Sequence, residues 1–300
     1  MIRRNILSDD GIAQQYVQAV SRLKDPDAYP WPGQDGLSLY DFFVFWHHRA
    51  MMLSTPPGQM SRNAAHSGPV FLPWHRYMLL RLEGYLREAV EDDGFRIPYW
   101  DWASDSTLPD PRLSPLWDNN LLGQFIATGS TWRVRFGPNP FGGGGSPRIT
   151  DRALDRSLGA PGGRLSSRAE IRELVRDNAV YDLPRFGQSA AGFRNELEGW
   201  QDMGHHHNLA HVWVGGDMTI STSPNDPAFF LLHCNVDRIW AAWQKAHPSA
   251  TYRPPQSASD DLRFHRLRDP MHTFFDEEIT PEDMLDFSGW YDYDTYEDIL

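Results

Sequence analysis

The chain has 300 residues, and its 28 basic side chains against 40 acidic ones give a net charge of −12 at neutral pH. A charge of this sign repels phosphate, so we expect neither nucleic acid nor an anionic membrane as a partner. An apolar content of 40% is ample for a core, and we expect one domain over residues 1–300.

Three of the histidines in the first half of the chain lie in different predicted elements. A first helix is predicted near Asp10, and His47 follows a later apolar run. His66 lies in a loop rich in Gly, Ser and Asn. His75 opens a predicted helix whose apolar side chains recur at helical spacing, namely Met78, Leu79, Leu82 and Tyr85.

The second half contains a matching set of three. His207 and His211 are four residues apart, which places them on one face of a helix. Turn residues from Asn225 then lead into an apolar segment that contains His233 and predicts a capped, buried helix. Beyond it, an acidic and aromatic tail at about 280–300 is expected to pack on the domain.

Each set of three histidines can hold one metal ion. Six imidazoles without a matching thiolate or carboxylate indicate copper, zinc or iron, and a pair of such sites favours copper with dioxygen. A zinc peptidase would need a glutamate directly after His207, where this chain has Asn208. Neighbouring residues that do not share the ligand positions are assigned to packing or solvent: His48, His205, His206 and Cys234.

Longer motifs surround these histidines in a fixed order. They are FLPWHR at 71–76, PYWDW at 98–102, FRNELEGW at 193–200, SPNDP at 223–227 and NVDR at 235–238. With these motifs the chain resembles the type 3 copper proteins, and most closely the compact bacterial tyrosinases. The resemblance covers almost the whole chain, from the first helix to the aromatic tail.

The resemblance implies a mainly α fold. We expect a four-helix bundle around a dinuclear copper site, with long loops and a few short strands. It also implies two copper ions as cofactors. The first would bind His47, His66 and His75, and the second would bind His207, His211 and His233.

The implied reaction uses dioxygen to hydroxylate monophenols at the ortho position and to oxidise o-diphenols to o-quinones. Glu198 and Asn208 would together hold a water molecule that accepts the phenol proton, a task suited to a partly buried carboxylate. An oxidase of catechols or o-aminophenols in secondary metabolism is the alternative. A dioxygen carrier of haemocyanin type and a zinc hydrolase rank below it.

Access to the site and its outer contacts are predicted less directly. Ile220, Ser221 and Thr222 form the expected substrate gate, and none has the bulk of a phenylalanine. Val212 brings no charge that would attract a carboxylate. Asp237 lies one helical turn after His233 and is a candidate to orient it, or to form a structural pair with Arg238 or another cation.

Two expectations concern the cell. A small helper protein is a possible source of the copper, as in some bacterial tyrosinases. The chain contains no apolar run of about twenty residues, and its start lacks an apolar signal core despite Arg3 and Arg4. The single cysteine suits a reducing compartment. We therefore expect a cytoplasmic protein, or one exported only with a partner.

Overall fold

The structure is a computed structural model that describes residues 1–123, 132–137, 148–200 and 206–300. Its described residues are mainly helical, which confirms the predicted fold class. The helices are α1 (Asp10–Leu23), α2 (Leu39–Met52), α3 (Phe71–Val90), α4 (Trp102–Asp105), α5 (Arg168–Asp177), α6 (Phe193–Glu198), α7 (His206–Val214) and α8 (Ala228–Ala246).

Local sequence explains where the helices begin. Ser38 caps α2, since its side chain accepts from the backbone N–H of Asp41 and the Asp41 side chain accepts from the backbone N–H of Ser38. Helix α3 starts at Phe71, one turn before the predicted start at His75, because Pro73 is tolerated in a first turn. His75 consequently lies inside the helix, where its ring is fixed by packing.

Helix α8 runs through the centre of the protein. All of its residues from Ala228 to Trp243 are buried, as predicted for this segment. It packs against α3, α5 and α7, and α1 also packs against α3. One continuous apolar core extends from Ile6 to Ile299 and surrounds these helices.

Two small sheets complete the described fold. Strand β1 (Ile2–Arg3) pairs in parallel with β4 (Asp292–Tyr293), so the two ends of the chain meet. Strand β2 (Arg133–Gly137) pairs antiparallel with β3 (Arg148–Ala153). No helix among the described residues is long and apolar enough to cross a membrane.

A buried ionic network lies beneath the paired chain ends. Asp237 on α8 accepts from Arg76 at 2.6 Å and from Arg3 at 3.2 Å, and the hydroxyls of Tyr291 and Tyr293 each donate to it at 2.5 Å. Burial opposes ionisation of this carboxyl, but Arg76 and Arg3 outweigh it and lower its pKa. The network therefore ties α3 and α8 to both ends of the chain.

Candidate metal centre

The first triad consists of His47, His66 and His75. His47 lies on α2, His66 lies in the loop before α3, and His75 lies on α3. The three side chains are buried, with exposures of 1%, 5% and 3%. One nitrogen from each ring falls within 4.8 Å of the other two, so a single metal ion can contact all three.

Backbone carbonyls fix the tautomers of two rings in this triad. Nδ1 of His47 donates to the carbonyl of Ser221 at 2.7 Å, and Nδ1 of His75 donates to the carbonyl of Phe71 at 2.8 Å. Nε2 of each ring is then the unprotonated nitrogen. Both Nε2 atoms are buried without a hydrogen-bond partner among the described residues. Their lone pairs are free for a metal ion.

The second triad consists of His207, His211 and His233, and here the ring nitrogens converge more closely. Nδ1 of His207 donates to the carbonyl of Glu198 at 3.1 Å, and Nδ1 of His211 donates to that of Met218 at 2.7 Å. The two Nε2 atoms lie 3.2 and 3.4 Å from Nε2 of His233. A cation placed between these lone pairs relieves their repulsion, so the donor set fits a bound metal.

All six imidazoles are neutral. Burial lowers the pKa of His47 to about 3 and that of His211 to about 4. It lowers the pKa of the other four well below the usual value for histidine. Neutral imidazole is the form that binds metals, and an all-nitrogen set suits copper or zinc rather than calcium or magnesium.

The two triads are adjacent. The ring of His75, from the first triad, stacks on that of His233, from the second, with centroids 4.1 Å apart and an angle of 11°. Phe71 packs against His75 and His207, and Phe229 packs against His47 and His233. Two ions bound here would share one apolar chamber, which agrees with the predicted dinuclear site.

Comparison with known proteins identifies the family. Residues 37–246 match the family profile described as "Common central domain of tyrosinase". A tyrosinase of Streptomyces glaucescens is 40% identical over 262 residues, which cover 85% of this chain and 89% of the relative. The chain belongs to the tyrosinase family. It is a type 3 copper oxidoreductase, and proteins of this family use two copper ions to act on phenols with dioxygen.

Two further similarities bear on the activity and the fold. A grixazone synthase of Streptomyces griseus is 33% identical over 287 residues, covering 85% of this chain and 90% of the relative. A polyphenol oxidase structure from Thermothelomyces thermophila superposes with a TM-score of 0.66 at 23% identity, covering 91% of this chain and 82% of the other. The latter shows that the fold is the same.

In this tyrosinase-family chain, Glu198 contacts a residue next to a ligand of the first triad and a ligand of the second triad. Its side chain is fully buried; the backbone N–H of Ser67 donates to Oε1 at 2.6 Å, and Nη1 of Arg194 donates to Oε2 at 2.8 Å. Ser67 follows His66, and the carbonyl of Glu198 holds His207. Burial raises the pKa of this carboxyl, although Arg194 acts in the opposite direction. A carboxylate in such a position is a candidate proton acceptor.

Asn208 lies beside Glu198 at the start of α7. Its Nδ2 donates to the carbonyl of Gly199 at 3.3 Å. Gly199 ends α6 with a φ of 101°, a left-handed conformation that favours glycine. The structure thus places both predicted catalytic residues next to the second triad.

The predicted gate residues lie on one segment after α7. Ile220 is 37% exposed, whereas Thr222 is buried and Val212 is partly buried on the helix itself. The carbonyl of Ser221 accepts from Nδ1 of His47. Sequence reasoning missed this contact, since backbone carbonyls carry no side-chain signal.

The histidines and the cysteine assigned to packing or solvent have varied surroundings. His48 is partly buried, with Nδ1 2.8 Å from the hydroxyl of Ser221, and His206 is buried at the start of α7. The thiol of Cys234 donates to the carbonyl of Ile97 at 3.3 Å, and burial raises its pKa to about 12. His205 lies outside the described residues.

Asp237 does not orient a ligand imidazole. Its carboxylate is engaged by Arg3, Arg76 and two tyrosines, while Nδ1 of His233 is buried without a hydrogen-bond partner among the described residues. The structure therefore supports the alternative of a structural pair, but with Arg76 and Arg3 in place of Arg238. Arg238 instead donates to Asp298.

Proposed function

We propose that this chain hydroxylates monophenols at the ortho position and oxidises the resulting o-diphenols to o-quinones, with dioxygen as the oxidant. The convergence of two neutral three-histidine sets in one apolar chamber carries the proposal. His47, His66 and His75 would hold the first copper, and His207, His211 and His233 the second. Bound copper would supply the electrons that reduce dioxygen.

Residues of the chain itself would accept the hydroxyl proton of the phenol. A phenol reacts after it loses the hydroxyl proton, so an acceptor is needed near the metal pair. Glu198 has a buried carboxylate, its backbone carbonyl accepts from His207, and Asn208 bonds to the next residue, Gly199. Hydrogen bonds from Ser67 and Arg194 hold the carboxylate in one orientation. We assign to this pair the water molecule that takes the proton.

The entrance favours small, uncharged aromatic substrates. Ile220 is the exposed apolar side chain of the gate segment, and Val212 brings no charge on α7. Neither would attract a substrate carboxylate. Small phenols, catechols and o-aminophenols fit this entrance better than free tyrosine. The similarity to a grixazone synthase gives weight to the alternative, an oxidase of catechols or o-aminophenols without useful monophenol hydroxylation.

Oxygen uptake by the copper-loaded protein separates these functions. We expect uptake with a monophenol, a catechol and an o-aminophenol. Uptake with only the last two would refute hydroxylation and establish the alternative oxidase. Reversible oxygen binding without turnover would indicate a carrier of haemocyanin type, and hydrolysis with zinc in place of copper would indicate a zinc enzyme.

Copper delivery by a small helper protein is part of the proposal. The first-triad histidines are at most 5% exposed, so an ion must pass through a closed shell to reach them. Slow or incomplete loading by free copper, accelerated by a co-expressed partner, would support a helper. Rapid and complete loading by free copper would argue against one. Cell fractionation tests the cytoplasmic location proposed from the sequence.

A further inference from the structure

One short segment contacts an imidazole of each triad. The carbonyl of Met218 accepts from Nδ1 of His211, and the carbonyl of Ser221, three residues later, accepts from Nδ1 of His47. These are the outer contacts that set the direction of a metal-bound imidazole. A shift of this segment would therefore rotate one ligand ring at each site.

The far end of the segment is fixed by a turn. The backbone N–H of Ser223 donates to the carbonyl of Ile220 at 2.9 Å, and that of Asn225 donates to the carbonyl of Thr222 at 3.0 Å. The side chain of Asn225 donates to the same Thr222 carbonyl at 3.1 Å. These bonds orient the Ile220–Ser221 peptide and the Thr222–Ser223 peptide. They do not fix the position of Ser221 relative to α2, which depends on other contacts.

The link to α2 comes from His48. Nδ1 of His48 lies 2.8 Å from the Ser221 hydroxyl, while the neighbouring His47 bonds to the carbonyl of the same serine. Two successive residues of α2 thus hold one residue of the segment by its side chain and its backbone. His48 also packs near Phe136 of β2, with ring centroids 6.5 Å apart. Its ring is therefore restrained on two sides.

We infer that His48 is a positioning residue for the first metal site. It acts through the Ser221 hydroxyl to hold the Ser221 carbonyl against His47, without contacting the metal itself. The inference rests on the proposed function in one respect, namely that the first triad binds copper. His48 therefore has a role beyond the packing or solvent contact that the sequence predicts.

Two replacements of His48 separate shape from hydrogen bonding. In His48→Asn an amide atom occupies nearly the position of Nδ1, because both atoms are bonded to Cγ. In His48→Phe the ring remains without a polar atom. Ser221→Ala removes the hydroxyl but keeps the carbonyl to His47. His247→Phe is the control, since His247 is a partly buried histidine that bonds to the carbonyl of Val175, away from both triads.

The measurement is the rate at which a chelator in excess removes copper from protein loaded with two ions. We expect His48→Phe and Ser221→Ala to release one ion about tenfold faster, the low end for loss of an outer contact at a metal site. The second ion should leave at a nearly unchanged rate. His48→Asn and His247→Phe should match the parent chain, and the double variant should be no faster than either single one.

Two outcomes overturn the inference. If His48→Phe and Ser221→Ala retain copper like the parent, the contact does not position the site. If both ions leave equally faster and the unfolding midpoint falls in parallel, the role of His48 is structural only. If His48→Phe fails to fold, the rate of copper release from Ser221→Ala tests the inference in its place. A parent chain that binds no copper would refute the proposed function, which is a different result from parent-like retention in the variants.

Discussion

Replacement of Glu198 by glutamine removes the charge of the proposed proton acceptor and keeps its shape. In the parent chain the Glu198 carboxylate accepts from Ser67 through one oxygen and from Arg194 through the other. An amide has a single acceptor oxygen, so one of these two donors loses its partner. Arg194 keeps its second carboxylate, Asp182, at 2.7 Å.

The structure sets the expected size of both effects. Losing one charged hydrogen bond while Arg194 stays paired should lower the free energy of unfolding by about 2 kcal/mol. Losing the general base should lower kcat for monophenol hydroxylation by about 100-fold or more. Copper content should stay at two ions per chain, since the carbonyl of Glu198 that holds His207 is unchanged.

Asp182→Asn is the matched control. Asp182 is as fully buried as Glu198 and bonds to the same guanidinium, but it contacts neither triad in the described hydrogen bonds. We expect a similar loss of stability and a kcat within about threefold of the parent chain, since that residue lacks the general-base role. Steady-state kinetics and denaturant unfolding measure the two effects. Equal kcat in the two variants would refute Glu198 as the proton acceptor.

Three further predictions follow from the same contacts. His211→Ala should lower copper content from two ions to about one per chain, measured by metal analysis, because a two-nitrogen site binds weakly. Burial lowers the pKa of His265 from 6.5 to about 3. Between these two pH values the unfolded chain binds a proton at this residue and the folded chain does not. The free energy of unfolding therefore falls as the pH falls. His265→Gln should reduce that slope by about 1.4 kcal/mol per pH unit in denaturant unfolding, and an unchanged slope would contradict it. Asp237→Asn leaves Arg3 and Arg76 short of a buried counter-charge and should lower the free energy of unfolding by about 3 kcal/mol, with little change in substrate KM.

Both triads could be predicted from the sequence because their signals are local or chemically specific. The spacing of His207 and His211 places both on one face of α7, and no carboxylate or thiol shares their pattern. His66 was predictable only through its motif context, since a loop has no periodicity. The structure adds that its nitrogen meets those of His47 and His75.

Contacts between distant segments could not be predicted. The pairing of Ile2–Arg3 with Asp292–Tyr293 involves strands of two residues, too short to show an alternating pattern. The same holds for Asp237, whose partner Arg3 is 234 residues away. Sequence spacing suggested His233 as its neighbour. The Asp237 carboxylate pairs with the cations that the fold brings near it, and only the structure shows that these are Arg3 and Arg76.

The stacked triads should bind two copper ions side by side. Titration of the metal-free chain with cupric ion, followed by electron paramagnetic resonance, tests it most directly. Two cupric ions held in one chamber couple magnetically and lose their resonance signal, whereas isolated ions keep theirs. We predict saturation at two coppers per chain with most of the signal absent. Saturation at one copper, or at two coppers that both keep their full resonance signal, would contradict a dinuclear site.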